Sequence, residues 1–217
     1  MIAAFGFNSQ RDAFQKPQPN LKVHYRIIVP TKFNLDLNTF GGSIKVNESN
    51  SGMGDGHLDG NVDVSTAGGS LSLLRINGSV SGHTSGGNIE ATGCTGDMDF
   101  HTSGGNIDIQ SRGNVKAETM GGSISAVWTE PIAGGASLST TGGDITVKLP
   151  EAAAVNIDAT TAGDSIDCDL PVQAQGELGR GRLTGKLNGG GPTLLLRTMG
   201  GGVRIRKTLA LNPTDRK

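Results

Sequence analysis

The chain has 217 residues, of which 35 are glycine, 18% are charged and 4% are aromatic, with a formal net charge of −1. The glycines exceed the usual share of about 7%, but they keep no three-residue period and Ile, Val and Leu alternate around them, which excludes a collagen-like chain and a featureless linker. No apolar run reaches the roughly 18 residues of a membrane-spanning helix. Charge is uneven, because the last 42 residues carry nine Lys and Arg against two Asp and Glu.

The first 30 residues precede the regular pattern of the chain. Residues 1–7 are apolar but shorter than a complete export signal. Residues 21–29 show the alternation of a strand, which favours a segment that caps one end of the domain. We predict an N-terminal cap or strand segment over residues 1–30, a repeat domain over 31–207 and a C-terminal tail over 208–217.

A repeat centred on a Gly-Gly pair follows the N-terminal segment. Four ten-residue segments align without gaps and end in this pair: residues 60–69, 78–87, 96–105 and 113–122. Four further copies surround Gly41, Gly142, Gly163 and Gly200. Apolar residues alternate on both sides of each pair, as at Phe100 and Ile107, which predicts strands with one buried face. We expect the pair to supply the positive φ of a sharp corner.

The spacing of the copies indicates how the strands associate. The four aligned copies begin 17 or 18 residues apart, which favours coils that superimpose with equivalent residues about 4.8 Å apart. We therefore predict an all-β, single-domain β-solenoid of short coils with Gly-Gly corners and little or no helix. An antiparallel up-and-down arrangement is the alternative. One inward column would contain Leu71, Ile89, Ile107, Ile124, Ile145, Ile166 and Val203.

The solenoid also predicts the state of the two cysteines. Cys94 follows the third copy and Cys168 the seventh. Four coils of separation amount to about 19 Å, whereas a disulfide needs Cα atoms within about 7 Å. We expect two free thiols, and we expect Cys168 to be a small core residue.

Two outward columns carry candidate ligands. Stacking would place His83 beside His101 and His101 beside Glu118, a set that suits Zn²⁺ or Cu²⁺. A solvated polar ladder is the favoured interpretation, so we predict no metal and no cofactor and keep these three residues as candidates only. The neighbouring outward column consists of Asp63, Ser81, Asp99 and Lys116.

Signals for an enzyme are weak. Polysaccharide lyases and hydrolases on β-solenoids use acidic clusters and aromatic platforms, but this chain has one Trp and one Tyr. No Lys-Ser/Thr follows the glycine-rich strings, which excludes a phosphate loop. Residues 51–60 are interpreted as an insertion, with a metal loop as the minor alternative. The acidic groups considered are Asp164, Asp167 and Asp169, and in the insertion Asp55 and Asp59 beside His57. We predict no enzyme, with polysaccharide cleavage as the remaining alternative.

The basic C-terminal part favours contact with an anionic polymer or with a second copy. End coils present unpaired backbone groups, and head-to-tail contact between ends of opposite charge would build an open filament. Aromatic residues between basic ones are lacking, so we expect no nucleic acid. The candidate interaction surface consists of Asp63, Asp99, Arg180, Arg182, Lys186, Arg204 and Arg206.

Two sequence features carry a family resemblance. The repeated T-S-G-G-N-I of residues 84–89 and 102–107, and the stretch L-N-G-G-G-P-T-L-L-L-R-T-M-G-G-G-V-R-I of residues 187–205, resemble a family of toastrack-like, glycine-rich β-strand repeats classed as adhesins of unknown function. The similarity covers roughly residues 21–206. The last copy departs from the pattern, since Gly201-Gly202-Val203 stands where an acidic residue and Ile are commoner.

The resemblance implies a protein of the bacterial cell envelope or exterior, exported or membrane-tethered, without assigned catalytic residues. Together with the repeat, it leads to the hypothesis of a non-enzymatic structural or adhesive solenoid that assembles head-to-tail into filaments. A monomeric module that binds a glycan or a surface polymer is the alternative.

Overall fold

Each copy of the repeat forms one strand before its Gly-Gly pair and one after it. In Met98–Thr102 and Ile107–Ser111, every second side chain is buried, as the alternation predicts. The computed structural model describes residues 4–5, 24–46, 56–132, 134–174 and 181–208, and none of these residues is helical.

The strands, in chain order, are β1 (Ala4–Phe5), β2 (Leu35–Thr39), β3 (Ile44–Val46), β4 (Leu58–Asp59), β5 (Val62–Thr66), β6 (Leu71–Leu74), β7 (Ile76–Asn77), β8 (Val80–Thr84), β9 (Ile89–Cys94), β10 (Met98–Thr102), β11 (Ile107–Ser111), β12 (Val115–Thr119), β13 (Ile124–Trp128), β14 (Ala136–Thr140), β15 (Ile145–Leu149), β16 (Val155–Thr161), β17 (Ile166–Cys168), β18 (Gln173–Ala174), β19 (Arg182–Leu187), β20 (Thr193–Thr198) and β21 (Val203–Lys207).

Two sheets enclose the core. The eleven-stranded sheet has the order β1-β2-β5-β8-β10-β12-β14-β20-β16-β19-β18, and the eight-stranded sheet has the order β17-β21-β15-β13-β11-β9-β6-β3. Strands β4 and β7 pair on a third side. Successive coils are parallel and in register, so that Ile107 lies between Ile89 and Ile124. Over the described ranges, antiparallel pairing is confined to β19 with β16 and with β18. The all-β solenoid is therefore confirmed, and the up-and-down alternative is wrong.

The core consists of stacked columns of aliphatic side chains. Ile89, Ile107, Ile124 and Ile145 are fully buried. Small residues leave room for the large rings. At Gly82, for example, a Cβ would lie 2.9 Å from the Phe100 ring. A narrow core of this kind needs interdigitated large and small residues to reach normal packing density.

The corners depend on a buried threonine that the repeat pattern alone did not explain. Thr102 is fully buried. Its hydroxyl donates to the carbonyl of Gly87 in the preceding coil at 3.0 Å and accepts from the Gly105 amide of its own coil at 3.3 Å. The same pair of bonds recurs at the other corners. One threonine hydroxyl therefore closes each of these corners and joins it to the neighbouring coil.

The expected role of the Gly-Gly pairs is wrong. In the described part of the chain, the glycines with a positive φ are Gly78, Gly93, Gly189 and Gly190, and none belongs to a repeated pair. The second glycine of a pair is needed because the preceding coil approaches it closely. A Cβ on Gly105 would lie 1.9 Å from the carbonyl oxygen of Gly87, far inside van der Waals contact.

The last coil stacks out of chain order. The predicted column placed Ile166 directly on Ile145, but Val203 lies between them and pairs with both. Likewise β20 lies between β14 and β16. All copies share one register, so the sequence pattern could not distinguish the two orders.

The cysteines are free, as predicted. Strands β9 and β17 are five positions apart in their sheet, or about 24 Å, because the last coil lies between them. Cys94 is the fully buried residue. The expectation for Cys168 is corrected, since this residue is half-buried on an edge strand, where no further coil covers it.

At the chain ends, Ala4–Phe5 pairs with β2. Residues 24–30 form no strand, so the described part of the strand expected over residues 21–29 is not found. Thr208 is bound to the solenoid, with its amide donating to the Leu149 carbonyl at 2.7 Å and its hydroxyl donating to the Trp128 carbonyl at 3.0 Å. The rest of the proposed tail lies outside the described residues.

Candidate functional site

A groove crosses the outer face of the eleven-stranded sheet where its parallel strands begin. It has a volume of about 860 Å³ and extends from β2 to β20. Its polar lining consists of Asn34, Asn61, Ser79, Asp97 and Asn114 at the corner, and of Asp36, Asp63, Ser81, Asp99, Lys116, Ser137 and Thr193 on the strands. Parallel, in-register pairing turns each of these sets into a straight row.

The corner row is fixed by bonds between coils. The backbone N–H of Asn61 donates to the side-chain oxygen of Asn34 at 2.8 Å, and the backbone N–H of Ser79 donates to the side-chain oxygen of Asn61 at 3.1 Å. The Asn114 side-chain amide donates to the Asp97 carboxylate at 2.7 Å. These bonds hold the wall of the groove at a regular spacing.

The strand row makes the groove acidic. Asp63 and Asp99 are exposed, and Asp36 is half-buried in the same row. Lys116 lies 3.7 Å from the Asp99 carboxylate and 3.6 Å from that of Glu118. Three of the first four strands of the groove thus present a carboxylate, β8 contributes Ser81 instead, and a cation enters only at β12.

The histidine column lies on the same face, beside the groove. The rings of His83 and His101 have centroids 6.1 Å apart, and His101 Nδ1 lies 3.8 Å from the Glu118 carboxylate. Stacking brings these three residues together as expected. Among the residues with described positions, no group of three His, Cys, Asp or Glu is arranged to hold a metal ion.

The remaining predicted interaction residues do not form one surface. Arg182 and Lys186 lie on β19, on the groove face but beyond its end. Arg204 and Arg206 lie on β21 in the other sheet. Arg180 lies outside the described residues.

Arg204 and Arg206 are occupied by local ion pairs. Arg204 contacts Asp144 at 2.7 Å, and Arg206 contacts Asp167 at 2.5 Å and Asp169 at 2.7 Å. The hydrogen bond from Arg204 lowers the pKa of Asp144, and the hydrogen bond from Arg206 lowers the pKa of Asp167. These guanidinium groups therefore hold neighbouring coils together and are not available as a free basic patch.

The acidic groups considered for an enzyme fall into two places. Asp167 and Asp169 share an exposed face, as predicted, but both are bound to Arg206, whereas Asp164 is exposed near the corner. In the insertion, His57 Nε2 lies 3.3 Å from the Asp59 carboxylate. Asp55 lies outside the described residues. None of these described residues lines the groove.

The sequence analysis did not identify the corner row or Arg197 as parts of this face. Asn61, Ser79, Asp97 and Asn114 each follow the first glycine of an aligned copy, which was the available signal. Arg197 lies in register with Ser139, and it therefore continues the column of His101 and Glu118. It could not be placed there without knowing that the last coil follows the sixth.

A family model described as Toastrack DUF4097 matches residues 15–206. The chain belongs to this Toastrack family. No curated protein and no solved structure matches the chain. Over the described residues, no helix of this Toastrack chain is long and apolar enough to cross a bilayer.

Proposed function

We propose that this Toastrack chain is a non-enzymatic scaffold of the bacterial cell envelope or exterior that binds an extended surface polymer in its groove. The groove is the observation that supports the proposal. It crosses seven strands, from β2 to β20, which corresponds to about 29 Å at the spacing of parallel strands. A linear polymer fits such a channel better than a compact small molecule does.

The chemistry of the rows favours a polymer rich in hydroxyl or amino groups. Asn and Asp side chains accept hydrogen bonds from hydroxyls, and carboxylates attract ammonium groups. Because Asp36, Asp63 and Asp99 lie in one row in register, a ligand that follows the row meets the same kind of group on several coils. A repeating ligand would make several weak contacts at once, which raises its overall affinity.

The exposure of the groove carboxylates supports binding of an extended ligand. Asp63 and Asp99 are exposed to solvent, and Lys116 lies 3.7 Å from the Asp99 carboxylate. A ligand that runs along the groove can contact these groups without any rearrangement of the coils.

The decisive experiment is a pull-down on insoluble bacterial cell-wall polysaccharide, with a charge-matched control. Asp63→Asn with Asp99→Asn removes two carboxylates from the groove. Glu90→Gln with Asp108→Asn removes two exposed carboxylates from the eight-stranded sheet. We expect the wild type and the control to be retained and the groove variant to be lost.

Three results would contradict this proposal. Equal retention of the two variants would remove the groove from the mechanism. Wild-type protein that binds neither wall polysaccharide nor whole cells would contradict binding itself. Release of soluble sugar from the polymer would indicate an enzyme. The location is tested separately, by whether protease added to intact producing cells degrades the chain.

Head-to-tail assembly is a second candidate, supported by the edges of the eight-stranded sheet. Its edge strands are β3 at one end and β17 at the other. With the same register as inside the sheet, Lys45 of one copy would lie opposite Asp167 of the next. In the eleven-stranded sheet, β18 and β19 cover the corresponding end with antiparallel strands, which opposes continuation there. Negative-stain imaging at two ionic strengths should show filaments that shorten in salt, and single particles at all concentrations would contradict this candidate.

A further inference from the structure

The closing coil, defined as β20 and β21 with the corner between them, is the last coil in sequence but not in space. It lies in a slot whose walls are β14 and β15 on one side and β16 and β17 on the other. It follows that the closing coil enters between two coils that precede it in the chain.

Contacts on both walls recognise the closing coil. Arg197 is in register with Ser139 on one wall and with Thr160 on the other. The Thr198 hydroxyl donates to the Gly143 carbonyl at 2.8 Å, and the Thr161 hydroxyl donates to the Gly201 carbonyl at 2.6 Å.

Ion pairs between the closing coil and both walls of the slot accompany these hydrogen bonds. Arg204 contacts Asp144 on one wall at 2.7 Å, and Arg206 contacts Asp167 and Asp169 on the other. Each of these contacts depends on the slot and on the coil. None depends on whether both belong to the same molecule.

A short hinge, residues 188–192, joins β19 to the closing coil. It crosses the start of β16, since β16 lies between β19 and β20. Its first three residues have a left-handed φ: 49° at Asn188, 84° at Gly189 and 85° at Gly190. This conformation is disfavoured for a residue with a side chain. The compact hinge therefore depends on its glycines, whereas an extended hinge would not.

We propose that the slot is a self-recognition surface that accepts the closing coil of a second copy, so that two molecules exchange these coils in a closed dimer. The ladders, threonine bonds and ion pairs of each slot are reproduced, and only the two hinges change from compact to extended. Exchange of an identical element is a low-cost route to a symmetric dimer. The proposal is independent of the ligand of the groove.

A disulfide across the slot identifies exchange directly. Ser139→Cys with Arg197→Cys, in a Cys168→Ser background, places two cysteines on paired strands. Their Cα atoms lie about 4.8 Å apart, within the range of a disulfide. The full chain is incubated in mild denaturant at high concentration, returned to buffer and separated by size before oxidation. On a non-reducing denaturing gel, the dimer fraction should run as covalent dimer and the monomer fraction as monomer.

The hinge is tested with two alanine variants of this protein. Gly189 and Gly41 both have open space where a Cβ would be added, and only Gly189 has a left-handed φ. Gly189→Ala should disfavour each compact hinge by roughly 5- to 30-fold. Because a dimer opens two hinges, its association constant should rise by the square of this factor, and Gly41→Ala should leave it unchanged.

Three results would contradict the exchange of closing coils. A dimer whose oxidised chains separate on the gel is a surface dimer, not an exchanged one. No dimer in any variant, or equal dimer fractions for Gly189→Ala and Gly41→Ala, also contradicts the proposal.

Discussion

The sharpest stability prediction compares the two glycines of one corner. A Cβ on Gly105 would lie 1.9 Å from the Gly87 carbonyl oxygen and 2.4 Å from its carbon, whereas a Cβ on Gly104 would have its nearest neighbour at 3.5 Å, the Ser85 carbonyl oxygen. Gly105→Ala therefore forces two backbones apart by about 1 Å. A hydrogen bond of about 3.0 Å does not survive such a shift.

The cost can be worked from the bonds beside this corner. The shift would break the hydrogen bonds from Thr102 and Gly104 to the preceding coil, which are 3.0 Å long. Two lost bonds at about 1 kcal/mol each and an overpacking cost of about 1–3 kcal/mol give a loss of about 3–5 kcal/mol in the free energy of unfolding. Gly104→Ala makes no such contact and should stay within about 1 kcal/mol of the wild type.

Urea unfolding followed by the fluorescence of Trp128 measures both variants. Trp128 is the only tryptophan, and it is fully buried on β13, beside the strand that follows Gly105. At a slope of about 1–3 kcal/mol per molar urea, Gly105→Ala should lower the midpoint by at least about 1 M. Equal midpoints for the two variants would refute the argument that close approach, and not backbone freedom, requires the second glycine.

Three further outcomes follow from buried or paired groups. Thr102→Val removes a fully buried bridging hydroxyl and should lower the free energy of unfolding by about 1–3 kcal/mol, whereas Thr102→Ser should lose only about 1 kcal/mol for its methyl group; equal losses would contradict the bridging role. Arginine hydrogen bonds lower the pKa of Asp144 and of Asp167 below the ordinary 3.8, so their stabilisation is complete above about pH 4 and is lost as the pH falls through the lowered values; a urea midpoint that stays constant between about pH 5 and about pH 2 would refute this. Burial raises the pKa of both thiols, but Cys94 is fully buried and Cys168 only half-buried, so a thiol reagent should modify Cys168 in the native state and Cys94 only on unfolding; two native-state reactions would contradict the packing.

Alternation was sufficient to predict the coils but not their final order. It placed Ile89, Ile107 and Ile124 in one buried column, because inward side chains at a constant spacing define both the strands and the register. Val203 fits Ile145 and Ile166 equally well, since all copies share the same pattern. The order there is set by the antiparallel strand β19 and the hinge that follows it, and neither contains the repeat.

The groove was predictable only in part, for a similar reason. Asp63 and Asp99 lie within alternating strands, so their outward direction could be deduced from Val64 and Phe100. Asp97 lies at the corner, where alternation stops and the direction of a side chain depends on the backbone path. The threonine bridge was not predicted, because a polar residue is ordinarily assigned to the surface. Its burial is explained only by its two hydrogen-bond partners, which the sequence does not show.

Contacts separate the residues that hold the coils together from those that are free to bind a ligand. Thr102 and Gly105 are fixed by the stacking of the coils, and Asn61 is fixed by its bonds across the corner. Asp63 occupies an exposed position on its strand, where many polar side chains are compatible with the ladder. A substitution at such a position changes the surface at little cost in stability. The specificity of the proposed polymer binding should therefore depend on the strand row of the groove, and the corner row fixes the spacing of the coils that carry that row.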